Sequence, residues 1–93
     1  MSKYAKKVDM NQKSIVFTLR DLGCSVFHLH TVGQGCPDLV VGIDGKTYLV
    51  EVKKDDKAKY TDAQIKFITE WQGSPVIRLN SVEDAIDFVK SVV

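Results

Sequence analysis

The dipeptide Asp44-Gly45 lies between two apolar, β-branched runs, Asp38 to Ile43 on one side and Lys46 to Lys53 on the other. Asp-Gly between such runs is the strongest short-range signal for a two-residue hairpin of type I′. That turn fixes more than two strands. With Asp44 and Gly45 as its central residues, Ile43 pairs with Lys46. Stepping outward in register then sets Asp38 opposite Glu51. Cross-strand neighbours of this kind have Cβ atoms roughly 4.5–5.5 Å apart and share a face. Lys53, two residues beyond Glu51, points to that face as well. Three ionisable side chains therefore converge at the open end of a hairpin that is otherwise mostly apolar.

The remaining elements arrange themselves around the hairpin. Asn11 is placed to cap a helix running to Leu22 and closed by Gly23, with Ile15, Val16, Leu19 and Leu22 as its apolar stripe. Ser25 to Thr31 alternates as a strand, with Phe27 and Leu29 on one face and Val26, His28 and His30 on the other. Thr61-Asp62-Ala63-Gln64 is a capping box opening a helix to about Gln72, ended by Gly73. Pro75 to Leu79 is a short strand. Ser81 caps a last helix with Val82, Ala85, Ile86 and Val89 on one face. The order α-β-β-β-α-β-α, with a crossover from the hairpin through a helix to one more strand, implies an α/β fold with a mixed sheet and packed helices. A length of 93 residues is expected to make one domain, 1–93, with residues 1–10 as a mobile, lysine-rich arm.

Two carboxylates at hairpin distance repel, and a divalent cation relieves that repulsion. Mg²⁺ takes one or two carboxylates and completes its octahedron with waters and phosphate oxygens. Lys53 adds a point positive charge beside them. The plain alternative is a solvated salt-bridge cluster on an exposed sheet face. It is disfavoured because Leu39, Val40, Val41, Leu49, Val50 and Val52 occupy both faces, so the sheet reads as covered on both sides. Gln64 shares a helical stripe with Phe67, Ile68 and Trp71, and Gln12 shares one with Ile15, Val16 and Leu19. Each places a carboxamide at a helix N-terminus on a core-facing stripe. Gln64 can equally be explained by its capping box and Gln12 by a frayed, exposed end.

Gly35-Cys36-Pro37-Asp38, then Leu49-Val50-Glu51-Val52-Lys53, then Thr61-Asp62-Ala63-Gln64 with Phe67, Trp71 and Gly73, resembles the PD-(D/E)xK nuclease superfamily. More narrowly it resembles the small VRR-NUC (virus-type replication-repair nuclease) domains, from about Asp9 to Ala85. The resemblance implies a restriction-endonuclease-like core and a Mg²⁺- or Mn²⁺-dependent DNA endonuclease. It implies Asp38 and Glu51 as metal ligands with the Val52 carbonyl, Lys53 as the catalytic lysine and Gln64 as the polar residue of the following helix. Gln12 stands where many members have a Glu, so a second metal would be held weakly there. The architecture also resembles four-way-junction resolvases. That implies branched DNA as substrate and a homodimer supplying two cutting centres.

Bulk charge does not announce a nucleic-acid binder: 13 Lys and Arg against 12 Asp and Glu leave a net charge of +1. Local patches must carry that claim. Lys54, Lys57 and Lys59 are expected to contact phosphates despite Asp55 and Asp56, and Lys3, Lys6 and Lys7 to add to them. His30 and Gln34 are expected at the substrate groove. Gly33 and Gly35 serve either the turn or a close approach to phosphate. His28 and His30 read as strand residues ahead of a metal pair, and Cys24 and Cys36 as small buried hydrophobes ahead of reactive thiols. Two cysteines, no apolar run near the roughly 20 residues of a membrane span and no secretory h-region lead to the expectation of a reduced, cytoplasmic protein, a viral or phage protein acting in the host cytoplasm included. Val89, Val92, Val93, Phe17 and Phe88 are the candidate dimer-interface residues, each with core as its alternative.

Overall fold

The computed structural model describes residues 10–93. The basic arm and its Lys3, Lys6 and Lys7 lie outside the described residues, apart from Met10. The elements are α1 (Met10–Asp21), β1 (Ser25–His28), β2 (Leu39–Ile43), β3 (Lys46–Val52), α2 (Asp62–Glu70), β4 (Ile77–Leu79) and α3 (Val82–Val92). The order is the α-β-β-β-α-β-α of the sequence pattern. The sheet runs β1-β2-β3-β4, antiparallel except for the parallel β3–β4 pair.

The hairpin follows from its turn. Asp44 (φ 53°) and Gly45 (φ 76°) both take the left-handed conformation that a type I′ turn demands. The register is the expected one, Ile43 against Lys46 through Leu39 against Val50. Alternation then sends Val26, Leu39, Val41, Ile43, Val50, Val52 and Leu79 into one core with Ile15, Val16 and Leu19 of α1 and Ala85, Phe88 and Val89 of α3. Phe88 and Val89 are thereby core residues, whereas Phe17 and Val93 are exposed.

The structure corrects several expectations. Asn11 lies inside α1, not at its cap. Leu22 leaves the apolar stripe and is exposed: α1 ends at Asp21, Gly23 (φ 99°) turns the chain, and the Cys24 N–H returns to the Leu19 carbonyl. Strand β1 stops at His28. The Leu29 N–H still bonds the Asp38 carbonyl, but Val32 folds back onto Leu29 and the chain leaves the sheet. Helix α2 ends at Glu70, with Trp71 extended (φ −67°, ψ 127°) before Gly73 is reached. Among the described residues the sheet is not covered on both sides. Helices α1 and α3 close one face, while on the other Val40 and Leu49 are only half-buried and Phe27 is 67% exposed. Helix α2 stands over the site end of that open face, and none of its residues is buried.

Candidate active site

The site is built at the open end of the hairpin. Extending the β2–β3 register one step past Leu39–Val50 brings Asp38 to Glu51. The Asp38 Oδ2 accepts the Val52 N–H at 2.9 Å, which locks the carboxylate beside β3. Since the N–H and C=O of one strand residue face the same side, the Val52 carbonyl also faces the Asp38 side. Glu51 is 3% exposed, the one buried charged side chain among the described residues. Its burial, and then the charge of Asp38, push its carboxyl from 4.5 up to about 7, against the opposing pull of Lys53. Near neutral pH it therefore holds its proton about half the time.

Gln64 ties the site together. Its Nε2 donates to Glu51 Oε2 at 2.9 Å, and its Oε1 accepts the Lys53 ammonium at 2.9 Å. The same Oε1 accepts the Thr61 N–H, while Thr61 Oγ1 accepts the Gln64 N–H, so the capping box is complete as well. The two explanations of Gln64 hold together: the cap fixes the side chain that spans Glu51 and Lys53. Lys53 Nζ lies 3.4 Å from Glu51 Oε2 and over the Tyr60 ring, 5.3 Å from its centroid.

Asn11, Tyr60 and Arg78 support the site without having stood out as functional residues. Asn11 Nδ2 donates to the Lys53 carbonyl at 2.8 Å and the Asn80 carbonyl at 3.1 Å, pinning the end of β3 to the end of β4. Arg78, beside Glu51 in the parallel register, also lies over the Tyr60 ring, at 5.1 Å. Its Nη2 donates to the Asp55 and Ala58 carbonyls at 2.9 and 2.7 Å and its Nε to Asn80 Oδ1 at 2.8 Å, fastening the loop that follows Lys53. A signal for Arg78 was present: an arginine in the middle of a short apolar strand. Gly35 (φ 77°) lies so close to α2 that a Cβ there would strike the Ala63 carbonyl. Its backbone approach positions the helix that carries Gln64.

The outlying residues divide. Gln12 Nε2 is 3.4 Å from His28 Nδ1, and the His28 and His30 rings meet edge-on at 6.0 Å. Lys54, Lys57 and Lys59 are exposed on the loop after the site, His30 is exposed, and Gln34 is exposed beside Ala63, Lys66 and Phe67 of α2. Cys36 is close enough that burial, then Glu51 and Asp38, raise its thiol pKa, which keeps it protonated. Both cysteines are free thiols.

Among the described residues no group of three or more His, Cys, Asp and Glu is placed to hold a metal. The donor set is instead two carboxylates, one buried and resisting ionisation, with a backbone carbonyl on the same side. Hard oxygen donors in that number fit Mg²⁺ or Mn²⁺, which fill their remaining positions with water and phosphate oxygen. No helix among the described residues is long and apolar enough to cross a membrane.

No sequence-family description matches this chain, and no curated protein matches it. A solved structure described as a VRR_NUC domain does match, at 27% identity and a TM-score of 0.74, over 88% of this chain and 92% of that one. A likeness running over most of both chains gives this chain the fold of a VRR-NUC domain and supports the VRR-NUC resemblance that the hairpin and Gln-helix motifs carry.

Proposed function

We propose that this domain is a Mg²⁺- or Mn²⁺-dependent endonuclease that hydrolyses phosphodiester bonds in branched DNA. The observation that carries the reading is the cluster itself: a buried carboxyl, a second carboxylate across the hairpin and an ammonium held in place by Gln64. Asp38 and Glu51, with the Val52 carbonyl, would hold the ion, which when bound lowers the pKa of a water and neutralises charge on the phosphodiester. Asp38 is oriented for this by the Val52 N–H. Glu51 must give up its proton, and Lys53 and Gln64 favour the ionised form that results. Lys53, restrained by Gln64 and Tyr60, presents a positive charge to the attacking water or to the oxygens on which charge develops. Gln12, beside His28 at the same end of the sheet, adds a neutral carboxamide where a further carboxylate would be needed to hold a second ion firmly.

Lys54, Lys57 and Lys59 are the phosphate contacts in this reading, with His30 and Gln34 at the groove. Contacts of this kind bind any sequence and weaken steeply with salt. A four-way junction is the preferred substrate, and two copies of the chain supply the two cutting centres that paired nicks require. Of the five interface candidates, Phe88 and Val89 are core, so Val92, Val93 and Phe17 alone stay available at the surface. The two free thiols fit a reducing cytoplasm, that of a viral host included.

The test is incubation of the purified protein with duplex, flap and four-way-junction DNA, with and without Mg²⁺ or Mn²⁺, alongside light scattering. Symmetric nicks in the junction, dependent on the ion and lost in Asp38→Ala, Glu51→Ala and Lys53→Ala, are expected, at about twice the monomer mass. Junction binding without cleavage under any divalent ion would make the domain a non-catalytic nucleic-acid module. A strict monomer that cuts flaps ahead of junctions would leave the nuclease and remove the resolvase.

A further inference from the structure

A second concavity lies beside the site, between α1 and the free edge of β1. Its volume is about 320 Å³, and Lys13, Val16, Phe17, Arg20 and His28 line it. That volume is at the small end of the range for ligand sites, roughly 300–1,000 Å³. Its composition is specific. Val16 supplies a buried apolar wall. Phe17, on the same helix, presents its ring outward at 71% exposure. Lys13 and Arg20 stand four residues before and three after Phe17, on the same helical face. Among the described residues no carboxylate lines it. The Arg20 guanidinium is fixed at the sheet edge by donating from Nη2 to the Val26 carbonyl at 2.7 Å, which leaves its other N–H groups to face a ligand.

The pocket lies at the same end of the sheet as the proposed active site, on the α1 face of the sheet, whereas Asp38, Glu51 and Lys53 point to the α2 face. His28 pairs with Leu39, the neighbour of Asp38, and touches Gln12. An exposed aromatic ring between two cations, one of them fixed to the sheet edge, matches a base with its flanking phosphates. A second protein copy or an apolar peptide would satisfy Phe17 and Val16 but leave Lys13, Arg20 and His28 unanswered.

We infer that this pocket receives one unpaired nucleotide of the substrate strand, its base stacked on Phe17 and its phosphates held by Lys13 and Arg20. The inference rests on the endonuclease reading and goes beyond it by naming a further feature of the DNA that this domain would select: a base that has left the helix. Stacking of one base on an aromatic side chain is worth about 1–3 kcal/mol, which is about 5- to 150-fold in affinity.

The experiment measures fluorescence anisotropy in EDTA, so that binding is read without cleavage, on a blunt duplex and on the same duplex with a short single-stranded tail. Wild type is expected to bind the tailed DNA more tightly. Phe17→Ala should remove that preference, Phe17→Trp should keep it, and Lys13→Gln should lower the salt slope by about one on tailed DNA only. Phe17 is exposed, so these variants leave the core intact, which circular dichroism checks. Equal binding of both DNAs by wild type, or a preference that survives Phe17→Ala, overturns the pocket and leaves the nuclease standing. A Phe17→Ala protein that becomes monomeric while keeping its tail preference assigns the surface to a second copy instead. Binding of neither DNA by wild type removes the nuclease reading and the pocket together.

Discussion

Replacing Glu51 with Gln should stabilise the metal-free protein at alkaline pH while abolishing cleavage. The folded carboxyl titrates near 7 and its ordinary value is 4.5. Between those values the folded chain holds a proton that the unfolded chain has already released. Stability therefore falls as pH rises through this window, by about 1.4 kcal/mol per pH unit. Across the whole window the loss is about 3 kcal/mol, a large part of the 5–15 kcal/mol that holds a typical domain together. Burial and the Asp38 charge cause it, and the attraction of Lys53 has already reduced it. A Gln at the same place carries no charge, can accept from Gln64 and Lys53 through its oxygen, and can turn its amide towards Asp38. Urea unfolding of both proteins in EDTA at pH 5 and pH 8 measures the effect. With a slope of about 1–3 kcal/mol per molar urea, the Glu51→Gln midpoint at pH 8 should exceed wild type by about 1 M or more, and the gap should narrow at pH 5. Added Mg²⁺ should restore wild type at pH 8 and leave the variant unchanged, by mass action on the folded state. Identical pH dependence in the two proteins would show that Glu51 is not forced to ionise in a buried, like-charged position.

Three further outcomes are expected. Gly35→Ala, which drives a Cβ into the Ala63 carbonyl at a positive φ, should cost about 1–3 kcal/mol and lower cleavage at least tenfold by shifting Gln64; retention of full activity would refute the role of this close approach. Arg78→Ala should cost about 2–3 kcal/mol through the lost charge-assisted bonds and expose the 53–60 loop to trypsin, which limited proteolysis of the folded protein detects; an unchanged cleavage pattern counts against the clamp. Joint replacement of Lys54, Lys57 and Lys59 with Ala should lower the slope of log affinity against log salt by about 2.7, at 0.9 per phosphate contact, without altering metal dependence; an unchanged slope rules out this loop as the phosphate patch.

The sequence made the hairpin and its acidic end legible because everything involved is local. One dipeptide determines the turn, the turn determines the register, and the register brings Asp38 to Glu51. The α2 capping box was legible for the same reason, spanning only Thr61 to Gln64. What escaped were contacts between residues far apart in the chain. Asn11 has the look of a helix cap, yet its amide is used by carbonyls 42 and 69 positions away. Arg78 and Tyr60 meet across a loop whose path no periodicity describes. The apolar stripe Phe67–Ile68–Trp71 predicts burial, but nothing among the described residues covers it fully: the Phe67 and Trp71 rings stack on each other 5.4 Å apart, with Trp71 42% exposed. The same limit misjudged the sheet, since Val40 and Leu49 state that a face is apolar without stating whether a helix reaches it.

The parallel β3–β4 pair has a consequence for the order in which this molecule assembles. The β2–β3 hairpin closes through a two-residue turn, a contact of the most local kind and therefore fast to form. It brings Asp38 and Glu51 face to face at once. The groups that fix the site around them arrive by slower, long-range closure. Gln64 comes only when α2 folds back over the hairpin end, and Arg78 and Asn80 only when the chain has crossed over to lay down β4. The acidic pair and Lys53 thus come together before Gln64 arrives to hold the lysine in place, so acid conditions or a divalent cation present during refolding should ease the earliest step, and the lysine geometry should be among the last features to mature.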